Sequence, residues 1–332
     1  MRSLDIGITY DLRSAFEGVT SGPEDRLEEY DSEGTVHAIA SAIEKLGHRP
    51  RPLGGGRTFL SRVLKHAPDL VFNFAEGFGT RSREAHVPAT LELLNIPFTH
   101  SDPLTLAVSL DKAITKRIVG ACGVPTPHYA VVSDASAAER LALAMPVIAK
   151  PLNEGSSMGI RKSSRITDRG AIEEHLARLL KDYQQPVLIE EFCSGPEFTV
   201  GVIGTGADAH VIGIMEILPK NAPLDTFVYS LEVKRNWEEE VRYDVPPKQT
   251  PELLRRVEQV ALDAYRALDC RDVARVDVRV GPNNEPMFLE INPLPGLDPV
   301  KSDIVILARG MGMAYDELIG GILDSARARY KL

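Results

Sequence analysis

The chain has 332 residues, of which 43% are hydrophobic and 26% are charged, and its formal net charge is −9. This length suits two or three lobes rather than one small core, and the composition is that of an ordinary globular protein. The acidic balance argues against a general binder of nucleic acid or of anionic membranes.

The N-terminus and the cysteines favour a cytoplasmic protein. Residues 1–11 hold acidic side chains around a short apolar run, which is unlike a signal peptide. No stretch approaches the ~18 apolar residues that a membrane helix needs. Cys122, Cys193 and Cys270 lie far apart without a CxxC pair, which fits buried thiols better than a disulfide or zinc framework. We therefore expect no membrane partner and no nucleic-acid partner.

The first hundred residues alternate between strand and helix patterns. Residues 4–10 and 69–75 are apolar runs typical of buried strands, while 35–46 and 84–95 carry amphipathic helical spacing. This alternation predicts a parallel sheet covered by helices. The polar, acidic residues 15–34 are expected to form a long surface loop.

The rest of the chain mixes helices with many short strands. A continuous helix is predicted over 103–122, and further helices over 135–144, 168–182 and 251–268. A polar excursion occupies 219–249, and two helices close the chain. The remaining apolar runs are predicted strands: 128–132, 146–151, 186–192, 197–204, 209–218, 272–280 and 286–292.

Two glycine-rich segments match known motifs by letter only. Residues 204–209 fit the dinucleotide fingerprint, but a strand rather than a helix follows, so a hairpin turn is predicted. Residues 155–159 fit the G-x-S-x-G elbow of serine hydrolases, which requires a strand-to-helix turn. Extended residues follow here, which favours a flexible loop between strands. A serine hydrolase using this loop is the alternative from a different class.

Phosphate-binding chemistry is indicated at the end of the strand 146–151. Lys150 ends this apolar run and is followed by a loop rich in glycine and serine. Such a loop can offer backbone N–H groups and hydroxyls to polyphosphate oxygens, while the ammonium neutralises their charge. Acceptor groups at the end of the run 187–193 could bind the exocyclic amine of adenine, and Glu197 downstream could bind the ribose hydroxyls.

The strongest signal is a set of oxygen ligands on two neighbouring strand patterns. Asp277 lies in one apolar run, and Glu290 and Asn292 lie two residues apart in the next, hence on the same face of it. Burying an unpaired carboxylate is costly, so these residues need a partner. Hard oxygen ligands of this kind suit Mg²⁺ held together with substrate phosphates.

Taken together, these segments resemble the D-alanine–D-alanine ligases of the ATP-grasp superfamily. The matching stretches are KPLNEGSSMG (150–159), VLIEEFCSGPEFTVGVIG (187–204) and ARVDVRV…FLEINPLPG (274–296), with weaker similarity over 96–112. The resemblance implies an α/β class with α+β lobes, namely an ATP-grasp fold behind an N-terminal parallel α/β lobe. It implies three domains: an N-terminal α/β domain (1–103), a central subdomain (104–188) and a C-terminal subdomain with the metal and substrate site (189–332).

The resemblance also implies roles for individual residues. The residues expected to bind ATP are Lys112, Lys150, Ser156, Ser157, Glu190, Phe192, Cys193 and Glu197. Two Mg²⁺ ions, or Mn²⁺ in their place, are expected on Asp277, Glu290 and Asn292. The residues expected to act in catalysis are Arg275 and the Gly296 backbone as oxyanion donors, Ser156 in the closing loop, and Lys234.

The implied reaction is an ADP-forming ligation through an acyl phosphate, joining two amino acids or an amino acid and a small peptide. Alternatives are a genuine D-alanine–D-alanine ligase of cell-wall synthesis and a relative that binds nucleotide without catalysis. The resemblance further suggests a homodimer formed through the N-terminal lobe.

The departures from the family pattern fall in the substrate site. Glu76 stands where the family has histidine before glycine, and Arg235 follows Lys234 where the family has tyrosine. Lys301 stands near the position of a serine that binds the acceptor carboxylate. The expected ATP and metal residues are present while the substrate site differs, which predicts related chemistry on other substrates. Glu76, Arg235 and Lys301 are the residues expected to contact those substrates.

Overall fold

The computed structural model describes residues 2–16, 18 and 22–332, and three β-sheets organise it. The first sheet is parallel, with strand order β2-β1-β3. Its elements are β1 (Asp5–Thr9), α1 (Glu33–Lys45), β2 (Arg49–Pro52), α2 (Gly56–Lys65), β3 (Leu70–Asn73) and α3 (His86–Leu93). The predicted parallel sheet covered by helices is confirmed.

The segment before α1 differs from its prediction. Residues 17 and 19–21 lie outside the described residues, but 22–32 are not a surface loop as expected. Asp25 is fully buried, and Leu27 and Tyr30 are also buried. The carboxylate of Asp25 accepts hydrogen bonds from Tyr183 Oη and from the backbone N–H of Gly159, so the segment packs against a distant part of the chain.

The helix predicted over 103–122 is two helices, α4 (Pro103–Leu110) and α5 (Lys112–Ala121). Asp111 interrupts them because its backbone is extended and its carboxylate accepts from the N–H groups of Ala113 and Ile114. This is N-capping, which begins a new helix rather than continuing the old one. As a result Lys112 occupies the first turn of α5.

The second sheet is antiparallel, with strand order β4-β7-β5-β6. Its elements are β4 (Tyr129–Val132), β5 (Val147–Pro151), β6 (Arg165–Ile166), α6 (Ile172–Tyr183) and β7 (Val187–Glu191). The helix predicted over 135–144 is wrong, since only a short 3₁₀ turn forms at Ala135–Arg140. The loop 152–161, which follows β5, is called the serine loop below.

The third sheet has five antiparallel strands in the order β10-β9-β8-β11-β12. Its strands are β8 (Glu197–Ile203), β9 (His210–Pro219), β10 (Val241–Asp244), β11 (Val273–Val280) and β12 (Pro286–Asn292). Residues 204–209 form the hairpin turn between β8 and β9, as predicted. The last helices are α7 (Leu231–Arg235), α8 (Trp237–Glu240), α9 (Pro251–Ala267), α10 (Asp303–Gly310) and α11 (Tyr315–Tyr330).

The C-terminal helices return to the first sheet. Leu318 and Ile322 of α11 share one hydrophobic cluster with Ile6 and Ile8 of β1. The last helix therefore packs against the N-terminal sheet. A cleft lies between the second and third sheets. Within the described residues, each helix is too short or too polar to cross a lipid bilayer.

Candidate active site

The predicted metal residues meet on the outer two strands of the third sheet. Asp277 of β11 is paired directly with Glu290 of β12, and Arg275 is paired with Asn292 two residues further along the strands. The sequence prediction that the two strands bring these three oxygen-bearing side chains together is confirmed as geometry. Their role as metal ligands stays a prediction.

Arg275 organises the carboxylates around it. Its guanidinium lies 2.9 Å from Asp277 Oδ2, 3.3 Å from Asp303 Oδ2 and 3.7 Å from Glu290 Oε1. Burial raises the pKa of Glu290, but the charges of Lys112, Lys150 and Arg275 outweigh it and lower that pKa to about 2. Glu290 is therefore ionised at neutral pH.

The donor set fits a hard divalent cation that also takes phosphate oxygens. Within the described part of the chain, no three or more His, Cys, Asp or Glu side chains form a group that could hold a metal alone. The set here is two carboxylates, Asp277 and Glu290, and the amide oxygen of Asn292; the buried Nδ2 of the same amide has no hydrogen-bond partner among the described residues. Mg²⁺ usually takes one or two protein carboxylates and completes its shell with water and phosphates.

Three lysines approach the same cleft from different elements. Lys150 of β5 lies 2.6 Å from Glu190 Oε1, and Lys116 of α5 lies 2.9 Å from Glu190 Oε2. Lys112 lies 3.9 Å from Glu290 Oε2 and donates to the backbone oxygen of Glu154 in the serine loop. Burial lowers the pKa of Lys112 and of Lys116, while for Lys150 the attraction of Glu190 outweighs burial and raises it.

Lys116 was missed by the sequence reasoning. Its ammonium is fully buried and also donates to Thr126 Oγ1 at 2.8 Å. The available signal was its spacing of four residues from Lys112, which places both on one face of α5. Because two lysines hold the Glu190 carboxylate, that carboxylate is fixed in place rather than left free.

The serine loop does not form a nucleophile elbow. Ser156 and Ser157 both have left-handed backbone conformations, with φ of 48° and 58°, and Ser157 Oγ donates to the backbone oxygen of Tyr229 at 3.2 Å. Among the described residues no histidine is hydrogen-bonded to Ser157, and the loop is followed by a short 3₁₀ turn (Lys162–Ser164) and the strand β6 rather than by an α-helix. The serine hydrolase alternative is therefore wrong.

A groove runs beside the lysines. Its lining includes residues from both sheets: Lys150, Ser157, Glu190, Phe192, Cys193, Glu197, Lys234, Asp277 and Glu290. All of the predicted ATP residues except Lys112 and Ser156 line this groove. Burial raises the pKa of the Cys193 thiol to about 11, so this thiol is neutral at neutral pH.

Arg279 is a second residue that sequence reasoning missed. Its guanidinium lies 3.1 Å from Glu197 Oε2, donates to the backbone oxygen of Phe227 at 2.8 Å and sits 4.5 Å from the ring centroid of Phe192. It thus ties the predicted ribose ligand to the segment leading into α7. Arg279 lies two residues after Asp277 and therefore on the same face of β11, and this spacing could have identified it from the sequence.

A second, acidic cavity of about 70 Å³ has Arg275 in its lining. Its lining includes predicted and unpredicted residues: Glu29, Glu76, Glu84, Lys112, Ser156, Arg275, Glu290, Asn292 and Gly296. Burial, together with neighbouring carboxylates, raises the pKa of Glu76 well above its usual value and that of Glu84 to about 7. Neither carboxylate has a hydrogen bond or an ion pair with any described residue.

Glu29 lines that cavity, and Arg83 holds its carboxylate in place. Arg83 donates to both carboxylate oxygens of Glu29, at 2.9 and 2.8 Å, and to the backbone oxygen of Asn153 at 3.0 Å. Sequence reasoning missed Glu29 because it treated 15–34 as surface, and it assigned no role to Arg83. The pair joins the N-terminal segment to the serine loop.

The other predicted substrate residues line a separate, larger cavity of about 660 Å³. Arg235 and Lys301 lie on it together with Lys234, Arg275 and Gly296. Arg235 is exposed and pairs with Glu28 at 2.8 Å, whereas the ammonium of Lys301 has no partner among the described residues. Glu76 is therefore not brought together with Arg235 and Lys301, although both cavities meet at Arg275, Ser156 and Gly296.

Comparison with known proteins gives a consistent family. Residues 118–324 match the model of the D-ala D-ala ligase C-terminus. The D-alanine–D-alanine ligase of Bordetella petrii is 34% identical over 327 residues, covering 98% of this chain and 92% of that protein. The uncharacterized protein y4sG of Sinorhizobium fredii is 31% identical over 309 residues, covering 88% and 87%.

A solved structure shows the same fold. The D-alanine–D-alanine ligase of Bacillus anthracis, complexed with ATP, superposes with a TM-score of 0.72 at 21% identity, covering 99% of each chain. At this identity the likeness concerns the fold, which is the predicted ATP-grasp arrangement behind a parallel α/β lobe.

Proposed function

The chain belongs to the D-alanine–D-alanine ligase family and is an ATP-dependent ligase, and we propose that it joins a carboxylate to an amine through an acyl phosphate. The observation that carries this proposal is the convergence on Glu290 of three cations, Lys112, Lys150 and Arg275, at the cleft between two sheets. This arrangement suits a reaction that transfers a phosphoryl group and develops negative charge at one point.

We propose that ATP binds in the groove beside Lys150. We assign the adenine to the wall formed by Phe192 and Cys193, the ribose to Glu197, and the phosphates to Lys112 and Lys150 under the serine loop. The fully buried Glu190 would hold Lys150 in position rather than contact adenine by its own carboxylate. The relative from Bacillus anthracis was solved with ATP, which supports ATP as the nucleotide.

We propose that Asp277, Glu290 and Asn292 hold the Mg²⁺ ions that accompany ATP. Bound there, the metal would neutralise charge on the transferring phosphate. The residues of the chain would do the rest: Lys112 and Lys150 hold the phosphates, and Arg275 with the Gly296 N–H faces the carbonyl oxygen of the acyl group.

The proposed reaction has two steps, formation of an acyl phosphate and attack on it by the amine. An oxygen of the donor carboxylate attacks the γ-phosphorus of ATP, and ADP leaves. The amine, having lost a proton, then attacks the acyl carbon, and inorganic phosphate leaves with the carboxylate oxygen. Closure of the serine loop by Ser156 and Ser157 would keep water from the acyl phosphate.

We propose that the substrates are amino acids or small peptides. The named ligase relatives make D-alanyl-D-alanine synthesis the second candidate. Glu76, Glu84 and Lys301 line the two substrate cavities, which favours substrates other than two alanines. We also propose the domain division 1–103, 104–188 and 189–332 and a homodimer, which limited proteolysis and light scattering would test.

The test is ADP release with amino acids offered singly and in pairs. The proposal predicts that one pair releases ADP far faster than either member alone, and that a C–N-linked product accumulates in step with ADP. Release of ADP without dependence on an amine, or no release with any pair, would contradict it.

A further inference from the structure

The two substrate cavities differ greatly in size. The acidic cavity holds about 70 Å³, whereas the one on the far side of Arg275 holds about 660 Å³. Cavities of roughly 300–1,000 Å³ suit ligands much larger than a small amino acid. The larger cavity therefore has room that an alanine or a serine would leave filled with water.

One wall of the larger cavity is aromatic. The rings of Trp237 and Tyr243 stack with centroids 5.6 Å apart and an interplanar angle of 25°. Both side chains are only partly buried, and the indole N–H of Trp237 has no hydrogen-bond partner among the described residues. The wall thus offers ring surface together with one indole N–H left unpaired by the described residues.

Hydrogen bonds hold this wall against the catalytic side. Tyr243 Oη lies 2.7 Å from Tyr229 Oη, which donates to Asp303 Oδ1 at 3.1 Å. The other oxygen of Asp303 lies 3.3 Å from Arg275, the proposed oxyanion donor. A ligand lying on the rings would consequently have its position set relative to the reacting centre.

We propose that the amine substrate carries a large flat apolar side chain that packs on Trp237 and Tyr243. The inference rests on the proposed ligase function and names the substrate class of its amine site. Aromatic rings bury large areas and prefer stacked or edge-on partners, which a partly exposed Trp–Tyr pair supplies. The amine is an aromatic amino acid or a dipeptide that contains one, and both would present the same ring to this wall.

The chain offers a direct probe because Trp237 is its only tryptophan. Phenylalanine, phenylalanyl-alanine, alanyl-phenylalanine and alanine would each be titrated, in both stereochemical forms, while tryptophan emission is recorded. A saturable change with a phenylalanine-containing compound, absent with alanine at the same concentration, is expected. The free amino acid and the dipeptides are told apart by which of them saturates at the lower concentration. This measurement needs no turnover, so it is independent of whether ligation occurs.

Variants separate binding by the wall from a structural role. Trp237→Ala should raise the KM for the aromatic amine roughly tenfold or more, leaving the KM for ATP unchanged. Trp237→Phe should restore most of the loss, because a ring is retained. Glu239→Ala, an exposed change on the same helix and away from the cavity wall, is the matched control and should match the wild type.

Failure of this inference can be distinguished from failure of the ligase assignment. Ligation with alanine as the best amine, or unchanged tryptophan emission with the amine that turns over, would overturn the aromatic assignment and leave the ligase intact. Equal loss of affinity for ATP and amine in Trp237→Ala, without rescue by Trp237→Phe, would make the wall structural. Absence of ADP release with every pair contradicts the ligase function itself, and the fluorescence titration still decides the aromatic site.

Discussion

Asp277 and Glu290 stand directly opposite each other on β11 and β12, each within reach of the Arg275 guanidinium. Two carboxylates this close repel unless cations compensate them. In the protein alone Arg275 and the nearby lysines do so, and a divalent cation would strengthen that compensation. This relationship makes the pair the natural place to test metal dependence.

Asp277→Asn and Glu290→Gln should each abolish most Mg²⁺-dependent ADP release. The expected loss exceeds the roughly 10–100-fold typical of residues that only orient metal ligands. ADP release would be measured against Mg²⁺ concentration, with thermal unfolding as the check on folding. Wild-type turnover in either variant would refute the metal assignment.

Lys150 and Lys116 share Glu190 but should behave differently on substitution. Lys150 lines the nucleotide groove, whereas Lys116 is buried behind it. Lys150→Met should therefore raise the KM for ATP and slow turnover. Lys116→Met should chiefly destabilise the fold, by about 1–3 kcal/mol, since Glu190 keeps one partner. Urea unfolding and ATP titration on the two variants would decide, and equal effects on ATP binding would contradict this division.

Glu84 should make stability fall as pH rises. Burial raises its pKa from 4.5 to about 7, so between these values the folded state binds more protons than the unfolded state. The stability penalty is absent below pH 4.5, grows as pH rises and is complete above pH 7, where it reaches about 3 kcal/mol. Glu84→Gln should therefore gain stability over the wild type as pH rises from 5 to 8. A pH-independent difference in urea midpoint would show that Glu84 titrates normally.

Lys301→Ala should raise the KM for the amine substrate. A charged hydrogen bond contributes about 1.5–3 kcal/mol, which corresponds to roughly tenfold or more. The KM for ATP should not change, and amides or esters of the amine substrate should not distinguish wild type from variant. Val300→Ala, an exposed neighbour, is the control. An unchanged KM would indicate that Lys301 does not contact the amine substrate and only flanks the helix α10.

Local patterns predicted most of the strands and the metal pair. Asp277 and Glu290 stood out because a carboxylate in an apolar strand needs a partner; antiparallel pairing brought the two together, and Arg275 compensates their charge. The predicted helix 103–122 failed at Asp111, where a side chain competes for backbone N–H groups. The segment 22–32 failed for another reason: its buried Asp25 is stabilised by partners more than 130 residues away, which no local pattern contains.

The most direct test of the account follows the oxygen of the donor carboxylate. The donor, identified by ADP release, would be labelled with ¹⁸O in its carboxylate, and inorganic phosphate would be analysed after ligation. An acyl phosphate requires that one labelled oxygen leaves with each phosphate, in step with the formation of ADP. Phosphate without the label, with product formed, would contradict ligation through an acyl phosphate at this site.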